Sequence, residues 1–169
     1  DREITATLPD DTPPGLFDLT VTVRWPAQDA ERSFRSPRSV MVMEEFPADP
    51  VFATWGHLDT QGQYQAQYLR ELVCIANLAG ADMILMAAAC NPAYVAGALA
   101  DAQMPFAVNF GNHQFPGHEQ WFGPQEGAID FGETLCVLNR SLPWHEETAQ
   151  AEALLAARAG TRIKVINAF

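Results

Sequence analysis

The chain has 169 residues, 48% of them apolar and 18% charged, with a formal net charge of −11 and an isoelectric point near 4.6. That composition excludes a disordered chain, and the length suffices for one domain with a proper core, or one domain plus a piece of another. Ten Lys and Arg against 21 Asp and Glu argue against nucleic-acid binding by phosphate neutralisation, and no apolar run reaches the roughly 20 residues of a membrane helix.

The chain opens on Asp1 with no signal-like segment after it, so processing upstream is expected. Asp10 to Gly15, with Pro13 and Pro14, is turn material. Leu16 to Val23 follows, where apolar and β-branched residues predict a strand. Polar residues intervene from Gln28 to Arg38, and Ser39 to Met43 predicts a second strand. The run LPDDTPPGLFDLTVTV resembles the closing hairpin of a bacterial immunoglobulin-like sandwich. Two strands cannot form such a sandwich alone, so either its other strands lie upstream or the hairpin packs on the main domain. The expected organisation is a β segment over 1–38 and an α/β domain over 39–169.

From Val51 the rhythm changes. Val51 to Trp55 is a short apolar run that ends at Gly56-His57-Leu58-Asp59. Tyr64 to Leu78 repeats apolar residues at helical spacing (Tyr68, Leu69, Leu72, Val73, Ile75, Ala76), with Gly80 as its stop. Met83 to Met86 predicts a buried strand and Pro92 to Ala102 a short helix with Pro near its start. Pro105 to Val108 predicts a third strand, followed by Gly111-Asn112-His113-Gln114. Ala128 to Phe131 and Thr134 to Leu138 read as a hairpin turned at Gly132-Glu133. Glu146 to Ala159 reads as a helix stopped by Gly160, and Arg162 to Ile166 as a last strand. Strands alternating with helices imply a largely parallel sheet, and ligands gather at the carboxyl ends of such strands. His57, Asp59, Asn91, Asn112 and His113 all fall just after predicted strands. Cys74, Cys90 and Cys136 sit in apolar stretches without a CxxC pair and read as small buried thiols, which leaves the compartment open.

Gly111-Asn112-His113 is the sharpest of these motifs. A glycine lets the chain turn sharply after a strand, an amide oxygen can bind a hard cation, and an imidazole can bind metal or donate a proton. The plainer alternative is an ordinary loop with a surface histidine. The order of an apolar strand, GNH, Trp121-Phe122-Gly123 and a hairpin ending at Leu138-Asn139 resembles the calcineurin-like metallophosphoesterases. The resemblance runs from about Ser39 to the end. SVMVMEEFPADPVFATWGHLD is similar to the first strand of that family, ADMILMAAACN to its second and MPFAVNFGNHQ to its third motif, with Gln114 where an acidic residue is usual. It implies a partial, layered αβ sandwich and phosphoester hydrolysis at a divalent metal site (Mn, Fe, Zn or Mg). Within that site His57, Asp59 and Asn112 would bind metal, and His113 would act on the leaving group.

The departures define what is altered. The first motif has the order His57-Leu58-Asp59, the reverse of the family's Asp-x-His; alternate strand residues point the same way, so either order suits one ion. The bridging Asp position falls on Ala88 or Ala89, with Asn91, or failing that Cys90, as a substitute if the strand end shifts. A carboxylate between two dications offsets their repulsion, and an alanine cannot. The family's later histidines have no counterpart before Phe169. A catalytically inactive relative without metal, serving as a binding or structural module, is therefore the rival reading. A lesser one takes Gly56-His57-Leu58-Asp59 as the Gly-His-x-Asp of zinc amidohydrolases and peptidases, which also need a Glu pair downstream. Glu146-Glu147 is such a pair, but at a predicted helix start, where the helix dipole explains it. His118 lies in a loop near GNH, where it lines the pocket or is solvated, and His145 sits at a predicted helix start as a packing or capping residue. Partners expected on this reading are a phosphoester substrate and, at the open sheet edge after Val165, another copy or a further segment of the polypeptide.

Overall fold

The computed structural model describes residues 5–25, 30–56, 63–88, 91–110, 122, 127–138 and 144–167. Among them are eight strands and three helices. The chain divides into two compact units, Asp1–Glu44 and Glu45–Phe169.

The first unit is an antiparallel hairpin of β1 (Gly15–Trp25) and β2 (Ala30–Val42). β2 begins well before the predicted start at Ser39: Ala30 to Ser36 pair with Trp25 to Leu19 despite their polarity. The reason is the two-residue period. Val21 faces Phe34 and Leu19 faces Ser36 on one side, whereas Thr22 faces Ser33 and Arg24 faces Glu31 on the other. On the second face these pairs are all polar: Thr22 and Ser33 hydroxyls meet at 2.8 Å and the Arg24 Nη2 donates to Glu31 at 2.8 Å. Val40 to Val42, assigned from the sequence to the second domain, pair with β1, and Ser39 to Val42 belong to the hairpin. The register shifts between Phe17 and Leu19, and there Asp18 holds the irregularity together. Its Oδ1 accepts from the Arg38 amide at 2.8 Å and its Oδ2 from Arg35 Nε at 2.9 Å. Arg38 takes a left-handed φ of 50°, a conformation that costs a non-glycine residue free energy and that this bond supports.

The second unit is an α/β unit built on two three-stranded sheets. β3 (Phe52–Gly56), β4 (Met83–Ala88) and β5 (Phe106–Phe110) are parallel and lie in that order. Helices α1 (Gln63–Leu78) and α2 (Pro92–Leu99) make the crossovers. β6 (Gly127–Phe131) and β7 (Thr134–Leu138) form the expected hairpin, and β8 (Ile163–Asn167) returns parallel to β7 after helix α3 (Trp144–Ala157).

On α1, Leu69, Val73 and Ala76 recur at helical spacing and are buried against Ile84, Met86 and Val108 of the sheet and Val95 and Leu99 of α2. Each large side chain so buried contributes about 1.5–3 kcal/mol relative to exposure. Gly80 (φ 66°) ends α1: its amide donates to the Asn77 carbonyl at 3.2 Å and the Ala81 amide to the Ala76 carbonyl at 3.1 Å, the paired bonds of a glycine C-cap. The Asn77 side chain then ties this end to the turn before β5, donating to the Asp101 carbonyl and accepting from the Gln103 amide, both at 3.0 Å.

The opposite face of the first sheet is also covered. Met83, Leu85 and Ala107 are buried there, β4 lies against β8, and the Phe52 ring meets Phe131 edge-on at 6.1 Å. β7 is buried along its whole length, with α3 against it. The unit therefore stacks helices, sheet, sheet and helix. At the amino ends of β7 and β8, Arg162 donates to Glu133 at 2.8 Å and contacts Asp49 and the Ala48 carbonyl. Arg158 grips Asp130 with two hydrogen bonds of 2.7 and 3.1 Å.

The cysteines divide. Cys136 is buried in β7, and burial pushes its thiol up to about 11. Cys74 is exposed, contrary to expectation, because it lies off the sheet-facing stripe of α1. Cys90 lies outside the described residues.

Candidate functional site

The three parallel strands finish almost level. Gly56, the last residue of β3, pairs with Ala87, and Ala88, the last of β4, pairs with Phe110, the last of β5. Parallel strands joined by crossover helices all present their carboxyl ends at one edge of the sheet, which is where α/β units bind ligands. In the sequence, His57 follows Gly56 directly, with Asp59 two residues later. Ala89-Cys90-Asn91 follows Ala88, and Gly111-Asn112-His113 follows Phe110. Three segments carrying the candidate side chains thus leave three neighbouring strands at one edge. His57, Asp59, Asn112, His113 and His118 themselves lie outside the described residues.

Asn91 is described, and it has a local task. It is the N-cap of α2, with extended backbone (φ −67°, ψ 118°), and its side-chain oxygen accepts from the Ala93 amide at 3.1 Å. Its carbonyl takes the first helical bonds, from the Tyr94 amide at 3.1 Å and the Val95 amide at 3.3 Å. Pro92 at the first helical position needs no such bond and presets the helical φ. The asparagine-proline pair after a strand is therefore explained by helix initiation. Capping uses one of the two lone pairs on the Asn91 oxygen.

Ala88 closes β4 in register with Phe110 of β5, and the resemblance would put the family's bridging carboxylate at Ala88 or Ala89. At that position the chain carries a methyl group, and a bridged pair of dications does not fit it. A single divalent cation is a different matter: an imidazole, a carboxylate and an amide oxygen are an ordinary donor set for one. Among the described residues no group of three or more His, Cys, Asp and Glu is placed to hold a metal ion.

One residue near this edge escaped the sequence reading. Asn109, the penultimate residue of β5, is fully buried, and Thr134 is the other buried polar residue among those described. The signal was in the sequence. Val108 packs with the helix-side core, so Asn109, its neighbour, belongs to the opposite face, toward the second sheet. An amide interrupting the apolar run Phe106 to Phe110 at that spacing marks a polar group on a buried face of β5.

Compared with known proteins, the chain matches no family model, no curated protein and no solved structure. The reading of the site therefore stands on its residues and on the strand register that brings them to one edge. No helix among the described residues is long and apolar enough to cross a membrane.

Proposed function

We propose that residues 45–169 form a divergent metallophosphoesterase-like domain that hydrolyses a phosphoester at an altered metal site. The observation that carries this is the level termination of β3, β4 and β5, which sends the His57, Asn91 and GNH segments from one sheet edge. The layered arrangement of two sheets between helices supports it as well. His57, Asp59 and Asn112 are the side chains that would hold one divalent cation, which supplies charge neutralisation to the bound phosphoryl group. His113, next in the chain to Asn112, donates a proton to the leaving oxygen; a positioned imidazole contributes about 100- to 10,000-fold to such a step. His118 contributes to the pocket wall. Asn91 caps α2 and takes no part in the chemistry.

A second reading is favoured by one observation. The alanine at the end of β4 removes the charge that holds two cations together, so a catalytically inactive relative that binds a ligand at the same edge would look much like this chain.

Hydrolysis of bis-p-nitrophenyl phosphate by the full chain with added Mn²⁺ separates the two. Activity that falls about 100-fold or more in both His57→Ala and His113→Ala, and survives in Asn91→Ser, supports the enzyme. Turnover that is undetectable in the wild type, or equal in the wild type and His113→Ala, supports the inactive module instead.

A further inference from the structure

The face of the first sheet that meets the second loses bulk along its strands. The register sets Phe52 and Met83 in one row of that face, then Thr54, Leu85 and Ala107, then Gly56, Ala87 and Asn109. The last row, at the carboxyl ends, therefore holds a glycine, an alanine and one polar side chain. Asn109 is fully buried and Ala87 nearly so. A buried amide costs free energy unless it is hydrogen-bonded, whereas a leucine of similar size would only add apolar burial. The packing between the sheets thus gives no reason for an amide here, and sites of function are where chains depart from a consistent core. The row also adjoins the proposed ligands in the chain: Gly56 directly precedes His57, and Asn109 stands three residues before Asn112.

We propose that Asn109 is a positioning residue for the metal site, whose buried amide fixes the path of the chain from β5 into Gly111-Asn112-His113. The chemistry of the side chain suits that task. An amide carries donors and acceptors in one plane, so it can hold a main-chain N–H and a carbonyl together. Being neutral, it leaves the charge around the cation unchanged. A ligand held loosely binds its ion weakly, and removing a group that orients a ligand costs about 10- to 100-fold in metal affinity. The alternative is an amide that serves only the layer between the sheets. Its loss would leave buried partners unsatisfied and lower the stability of the unit, with no specific effect on metal. The inference rests on the phosphoesterase reading for the location of the site, and adds to it a residue outside every motif.

The test titrates Mn²⁺ into the full chain by isothermal titration calorimetry, for the wild type, Asn109→Leu and Asn109→Ala, with urea midpoints measured on the same proteins. Both variants are expected to bind Mn²⁺ at least about tenfold more weakly than the wild type. Asn109→Leu, which keeps the volume, should do so with a urea midpoint equal to that of the wild type or above it. Alanine fits wherever asparagine does, so Asn109→Ala decides the matter if leucine prevents folding. Mn²⁺ affinity within about twofold of the wild type in the folded variants would overturn the inference and leave the phosphoesterase reading standing. A urea midpoint that falls in Asn109→Leu together with the affinity would also overturn it, because the amide would then serve the layer. A wild type that binds no Mn²⁺ would overturn the metal site itself, and this role with it.

Discussion

A glycine in the turn between β6 and β7 shows how tightly single residues are specified. Gly132 has a φ of 62°, and a Cβ added to it would stand 2.5 Å from the Cβ of Phe46. Phe46 is half exposed and its ring meets Phe131 edge-on at 5.1 Å, but the atom in the way is its Cβ, which a rotamer change does not move and which retreats only with the backbone. Gly132→Ala should therefore lower the stability of the second unit by about 1–3 kcal/mol, through left-handed strain and overpacking together. A urea midpoint equal to that of the wild type would contradict this. The turn itself was legible, since Gly-Glu between two apolar runs of matching length reads as a hairpin. The close approach of Phe46 was not, because it joins residues 86 positions apart in the chain. Asn91 teaches the converse lesson. Its place after a strand made it a candidate ligand, and the structure adds a capping role that Pro92 behind it already signalled, since Asn-Pro is also how a helix begins.

At the scale of elements, the apolar segments were the readable ones. β3 to β8 and all three helices fall within a few residues of their predicted positions, because each is a periodic or continuous apolar run bounded by Gly, Pro or Asn. β2 was half missed, since residues 31–36 are exposed and mostly polar on both faces and look like a loop when the partner strand is unknown. That hairpin is held at its irregular end by Asp18, and the Arg35 guanidinium beside it, helped by the Arg38 amide, keeps the carboxyl below the usual range. A carboxyl whose folded pKa is depressed stabilises the fold fully above its unfolded value, and that contribution is lost as pH falls through the lower, folded value. The Arg38 amide reports this directly through its bond to Asp18. Followed by NMR from neutral to acid pH, its chemical shift should move with a midpoint below that of ordinary Asp side chains, near 3.9. A midpoint at or above the ordinary value would show that the Asp18 contacts do not persist in solution.

For the molecule as a whole, the α/β character and the parallel order of β3, β4 and β5 were legible from the alternation of strands and helices. The stacking of the second sheet on the first was not, since no periodicity within β7, buried on both faces, says which layer covers it. The candidate site was legible as a set of residue types after strand ends, and the register adds that three of those ends are neighbours. Buried Asn109 adds a polar group that sequence motifs alone did not single out. The central claim is the proposal that this edge holds one divalent metal ion. The most direct measurement is the transition-metal content of the full chain, purified without chelator and dialysed against a small excess of Mn²⁺ or Zn²⁺. The account predicts about one equivalent per chain, lost in His57→Ala and in Asp59→Asn and kept in Asn91→Ser. Less than about a tenth of an equivalent in the wild type, or the same content in wild type and His57→Ala, would contradict it.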